Sequence, residues 1–178
     1  MATITQAQTA AKGGEQKQER EKLTIAVLSG DLERALAAFM LATTGASMGM
    51  EVNMFFTFWG LNIIKKNEGS LKSKGIMRKM LNIMNRGGSK RLKLSNLNMM
   101  GMGTWMMKKL MKETNIPSLD EMIVMANEMG VNMIACTTTC GLMGLPTDTE
   151  SFRDEIQIMA GAAYFLNEAR KSSVTLFI

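Results

Sequence analysis

The chain of 178 residues carries 21 Lys and Arg against 16 Asp and Glu, and 46% of it is hydrophobic. That suits one globular domain with a sizeable core, not two. Histidine is absent, which excludes Cys-His and Ser-His nucleophile pairs and every imidazole metal ligand, so a reactive thiol here depends on a helix N-terminus or on Lys/Arg.

Residues 1–20 hold almost no large apolar side chain and are expected to form a disordered tail, leaving 21–178 as a single α/β domain. No basic start precedes a short apolar stretch, so no secretory signal is predicted. Residues 23–28 are a short β-prone apolar run, read as a buried first strand. Ser29-Gly30-Asp31 supplies turn and cap chemistry; it lacks the spacing of a phosphate-binding glycine loop, so Asp31 is read as a helix cap. Leu32, Ala35, Leu36, Phe39 and Met40 then line one face of a helix that ends near Gly45 or Gly49. The uncharged run at 35–50 is interrupted by Thr43, Thr44, Gly45 and Ser47, short of the roughly 20 apolar residues a spanning helix needs. Residues 52–58 form the second strand, and their near-continuous apolar character suits a sheet covered on both faces and paired in parallel.

Residues 60–115 break this rhythm. Basic residues from Lys65 to Lys112 face only Glu68 and Glu113, and they alternate with methionines such as Met77, Met84, Met99 and Met106. The segment is read as a helical, basic, Met-rich insertion between the second and third strands. Trp105 is the only aromatic residue between Trp59 and Phe152, too few stacking surfaces for a nucleic-acid face. A solvated cationic face over an oligomer or partner interface is favoured, with a peripheral membrane-surface segment as the second reading. The 20 methionines of the chain fall at helical spacings, which fits core and interface packing better than a soft-metal site.

Alternation then resumes. Ser118-Leu119-Asp120-Glu121 after Pro117 is a capping box, and Gly130 closes the helix it opens. Residues 131–135 are the third strand, 151–155 a short helix, 157–159 a fourth strand edge, 160–171 a helix and 174–178 a final strand. The order predicts an α/β fold with a mostly parallel sheet flanked by helices. In such sheets reactive groups gather at the carboxyl ends of strands, where Cys136 stands.

Two cysteines occur, in Cys136-Thr137-Thr138-Thr139-Cys140. With no export signal they belong in a reducing, cytoplasmic compartment, where neighbouring cysteines are more often catalytic or metal-binding than stapled. A zinc site would need both plus carboxylates, an uncommon set, and no metal or cofactor is expected. Thr137–139 suit the start of a helix whose free N–H groups would stabilise a Cys136 thiolate. Cys140 lies about one turn on and would share a face with Cys136 in a helix. It is a second candidate thiol; its competing reading is a small buried apolar group. Trp59 and Gly60 end the second strand on the same side and are candidates to line the thiol pocket.

The 23–28 run, the Asp31 helix, the 52–59 run, the basic insertion and Val131-Asn132-Met133-Ile134-Ala135-Cys136, followed by Leu142-Met143-Gly144-Leu145, resemble the DsrE/DsrF-like family. The closer likeness is to its longer DsrE-type proteins, found beside rhodaneses and small TusA-like sulfur carriers, and it spans residues 22–178. The resemblance implies a homo-oligomeric, three-layer α/β protein whose thiol after the central strand accepts sulfane sulfur as a persulfide. Carried onto this chain, that thiol is Cys136. It also implies rhodanese and TusA-like partners, a sulfurtransferase-like carrier activity, and, as in some relatives, contact with the inner face of a membrane. Two other functions compete: a thiol–disulfide switch closing Cys136 on Cys140, strained in a helical turn, and a non-enzymatic interaction module built on 60–115.

Overall fold

A computed structural model describes residues 21–67, 87–96, 98–145, 147 and 149–178. The expected tail at 1–20 and the middle of the expected insertion lie outside the described residues. The elements run β1 (Lys22–Val27), α1 (Leu32–Ser47), β2 (Glu51–Phe56), a 3-10 turn (Phe58–Gly60) leading into α2 (Leu61–Ile64), α3 (Met102–Glu113), α4 (Leu119–Glu128), β3 (Asn132–Cys136), α5 (Thr137–Met143), β4 (Ile158–Ala160), α6 (Ala162–Ala169) and β5 (Val174–Phe177). Short 3-10 turns also stand at Ser89–Arg91, Met99–Gly101 and Thr149–Ser151.

The five strands form one sheet in the order β4-β3-β2-β1-β5, and every neighbouring pair is parallel. Apolar side chains on both faces of β1 to β3 explain the choice, since a parallel sheet needs both faces covered. On one face Ile25, Val27, Met54, Phe56 and Met133 meet α1 and α4 in the main core. Phe39 of α1 stacks on Phe56 of β2 with ring centroids 6.0 Å apart; both are fully buried, and truncating either to Ala should cost about 3–5 kcal/mol. On the other face Phe55, Ile134 and Cys136 form a smaller cluster under Tyr164 and Phe165 of α6. Phe165 bridges Phe55 at 5.2 Å and Phe177 of β5 at 5.7 Å. Helices, sheet and helix make three layers, as expected of this α/β architecture.

Several boundaries differ from expectation for local reasons. The second strand stops at Phe56, not 58, because Phe58 takes a left-handed φ of 46° and opens a 3-10 turn. The third strand runs one residue later than expected and ends on Cys136 itself. Residues 151–155 are not a helix: a 3-10 turn ends at Ser151, and Phe152 pairs antiparallel with Lys65. Asp31 occupies the N-cap of α1 without a side-chain cap; its carboxylate instead accepts the Ser29 hydroxyl at 2.7 Å. The Ser118–Glu121 capping box of α4 forms in both directions, as its sequence predicts.

The expected insertion is described only in part. Among the described residues α3 is its one long helix, and 87–96 are mostly irregular. Lys65, grouped by sequence with a solvated basic face, is 2% exposed. No described helix is long and apolar enough to cross a membrane.

Candidate functional site

The carboxyl ends of β1, β2 and β3 are drawn together by two glycines. A side chain at Gly60 would collide with the Val27 carbonyl, and one at Gly30 would sit 2.7 Å from the Trp59 oxygen. The close approach fixes the loop after β2 and sets Thr57 opposite the start of α5.

Cys136 is both the last residue of β3 and the N-cap of α5. The three threonines of 137–139 form the first turn of this helix and are not its cap. Neutral groups of Thr57, Thr138 and Thr139 act on the Cys136 thiol. Burial pushes the thiol up; hydrogen bonds from the Thr139 hydroxyl and N–H, the Thr57 hydroxyl and the Thr138 N–H outweigh it and hold the thiol below its ordinary value. The two N–H groups belong to the first turn of α5, where backbone donors lack helical partners and favour an anion. The cause is hydrogen bonding to the charged form.

The two hydroxyls also meet each other, 2.8 Å apart. Each carries one hydrogen, so the protonated and ionised thiol need different arrangements. When Cys136 is a thiolate, both hydrogens turn to sulfur and the Thr57–Thr139 bond is given up. Only the hydroxyl that donates across the pair has to rotate, because the accepting one already has its hydrogen free.

Cys140 stands apart from this. It is fully buried among the residues of the main core, whereas Cys136 belongs to the cluster on the opposite face of the sheet. The expectation that both sulfurs share a face is corrected here, because Cys136 is held at the strand end and only Cys140 points where the helix packs. The charged group acting on Cys140 is Lys65, whose amine donates to Asn62 Oδ1 at 2.8 Å. Burial pushes the Lys65 amine down to about 8, and the Cys140 thiol pulls it partly back.

Of the other candidate lining groups, Gly60 is buried against Val27, and Trp59 is 49% exposed with its carbonyl over Gly30. The residues that do touch the thiol include one the sequence reading missed, Thr57. A hydroxyl at the carboxyl end of the strand paired beside β3 was the available signal, since Phe56 and Ala135 are in register. Among the described residues no group of three or more Cys, Asp and Glu is placed to hold a metal ion. The arrangement is suited to holding one anionic sulfur, at a strand end, with neutral donors.

Comparison with known proteins gives the family. The profile of the DsrE/DsrF/DrsH-like family matches residues 19–177. The chain is 39% identical over 161 residues to the uncharacterized protein YrkE of Bacillus subtilis (strain 168), covering 90% of this chain and 99% of that one. It is 36% identical over 167 residues to the sulfur carrier protein DsrE2 of Allochromatium vinosum, again covering 90% of this chain and 99% of the relative. A match of this length, on a parallel sheet with a thiol at the end of β3, identifies the chain as a member of the DsrE/DsrF/DrsH-like family.

Proposed function

We propose that this protein is a sulfur carrier of DsrE type, with Cys136 as the atom that is loaded. The observation that carries the reading is the place of Cys136 at the end of β3 and the start of α5, beside the Thr57–Thr139 hydroxyl pair, and the relative named as a sulfur carrier supports it. The Cys136 thiolate attacks the outer sulfur of a donor persulfide. The donor's S–S bond breaks, its thiolate leaves, and a Cys136 persulfide forms. Transfer is the same exchange in reverse sense: an acceptor thiolate takes the outer sulfur, and Cys136 leaves as a thiolate. No net oxidation occurs in either step. The neutral groups of Thr57, Thr138 and Thr139 assist both, since they stabilise Cys136 as nucleophile and as leaving group.

Rhodanese-type donors and TusA-like acceptors are the partner classes that fit, in a cytoplasmic homo-oligomer. Cys140 is assigned a lesser part. Its place in the main core, on the other side of the sheet from Cys136, favours a carrier over a disulfide switch.

Polysulfide loading followed by peptide mass spectrometry tests the reading. The Cys136 peptide should gain the mass of one sulfur atom and lose it to an added acceptor thiol. Loading that is unchanged in Cys136→Ser overturns the assignment.

A second reading rests on α3. Met102, Trp105, Met106 and Leu110 are all more than half exposed there, and Lys109 lies over the Trp105 ring at 5.5 Å. That mixture favours a docking or peripheral membrane role for this segment alongside carriage. Flotation with anionic liposomes should be lost in Trp105→Ala combined with Met106→Ala; flotation equal to wild type counts against the membrane part.

A further inference from the structure

On the side of the molecule where α3 meets the start of α4 lies a cleft of about 470 Å³. Its floor is apolar and well packed: Leu32 is 2% exposed, Leu119 4% and Met111 7%, with Ile116 at the rim. Three lysines surround the mouth. Lys108 and Lys112 bracket Met111 on one face of α3, and Lys90 comes from the 3-10 turn opposite. The Lys108 amine donates to the Lys90 carbonyl at 2.9 Å, which holds the two rims together.

Two carboxylates also line the cleft, and both are committed elsewhere. Glu121 accepts from the Ser118 N–H at 2.7 Å and hydroxyl at 2.8 Å in the capping box. Asp120 accepts from the Ser89 hydroxyl at 2.6 Å and is paired with Arg153, which also holds Glu155. Asp120 also feels the charge of Lys90, and Glu121 keeps its own charge because its capping partners are neutral, so three lysines against two carboxylates leave the cleft positive by one charge. Among the described residues neither Lys90 nor Lys112 has a carboxylate within salt-bridge distance.

An apolar floor with a few convergent charged groups, at a volume of several hundred Å³, is the make-up of a small-molecule site. We propose that this cleft binds a small amphipathic anion, its alkyl tail on Leu32, Met111 and Leu119 and its acidic head between Lys90 and Lys112. The site is separate from Cys136 and does not depend on the carrier reading. A free alkyl carboxylate and an anionic bilayer lipid share this chemistry.

Calorimetry with the full chain and decanoate tests it, with acetate, decanol and decyltrimethylammonium as controls. One decanoate should bind per chain. Decanol should bind about tenfold more weakly for want of the charge-assisted contacts, and acetate and the cation should not saturate. The double variant Lys90→Gln with Lys112→Gln, both exposed, should lose about tenfold in decanoate affinity while unfolding as wild type does. Cys136→Ser should bind decanoate unchanged. Displacement of decanoate by phosphatidylglycerol vesicles assigns the ligand to a bilayer lipid; unaffected binding assigns it to a free acid. Several decanoates per chain, equal affinity for decanol, or a double variant that binds as wild type would each overturn the proposal.

Discussion

Cys136 and Cys140 are four residues apart, yet the molecule treats them as different chemical groups. Cys136 ends a strand, faces α6, and receives two backbone N–H groups and two threonine hydroxyls. Cys140 lies one turn into α5, in the main core, with a buried ammonium as its charged neighbour. Both thiols are buried, so what separates them is the set of groups that stabilise the anion. The first surroundings provide donors that carry no net charge. The second place a charge in the densest part of the protein. Sequence spacing treats the two alike; the sheet between them does not.

The largest expected effect lies in removing each sulfur in turn. Cys136→Ser should abolish polysulfide loading, and Cys140→Ser should leave it close to wild type, both read by peptide mass spectrometry. Loss of loading in both variants would erase the distinction.

Lys65 offers the next test. With its folded value near 8 against an ordinary 10.5, the unfolded chain binds more protons between those values, so stability should rise with pH through that window. Well below pH 8 the buried ammonium is fully charged, and its burial costs on the order of 3 kcal/mol. Lys65→Met should therefore raise the Tm at pH 7, and the gain should shrink toward pH 10.5. Loading of Cys136 should not change. A Lys65→Met protein that loads poorly would mean the Cys140 side takes part in the chemistry.

Smaller effects should appear among the donors. Thr139→Val keeps the backbone N–H and removes the hydroxyl that ranks first among the stabilising contacts, so iodoacetamide labelling of Cys136 at neutral pH should slow roughly tenfold. Thr57→Val should slow it less, by a few-fold, because Thr139 can still turn its hydrogen to sulfur. Equal, unslowed labelling in both variants would show that the helix start alone stabilises the thiolate.

Much of this frame was legible beforehand. The apolar runs at 23–28, 52–58 and 131–135 marked three strands within a residue or two, and the Ser118–Glu121 box marked α4 because capping chemistry is local. The strand-end position of Cys136 followed from the same runs. Thr57 was hidden because its role depends on a neighbouring strand 79 positions away in sequence. Lys65 was misjudged for a similar reason: a charge in a basic run is normally solvated, and only the Phe152 bridge and the tight packing of Gly87 on its stem bury it. The side of the sheet taken by Cys140 could not be read from a four-residue spacing, since it turns on where β3 stops and α5 begins.

The most direct test of the unequal thiols is labelling of the native protein over a range of pH, with each cysteine peptide quantified separately. Cys136 should react first, and its rate should rise with pH and level off below the range of a free thiol, while Cys140 stays protected until the protein unfolds. Labelling of Cys140 ahead of Cys136, or a Cys136 rate that still climbs where a free thiol has levelled off, would contradict the account.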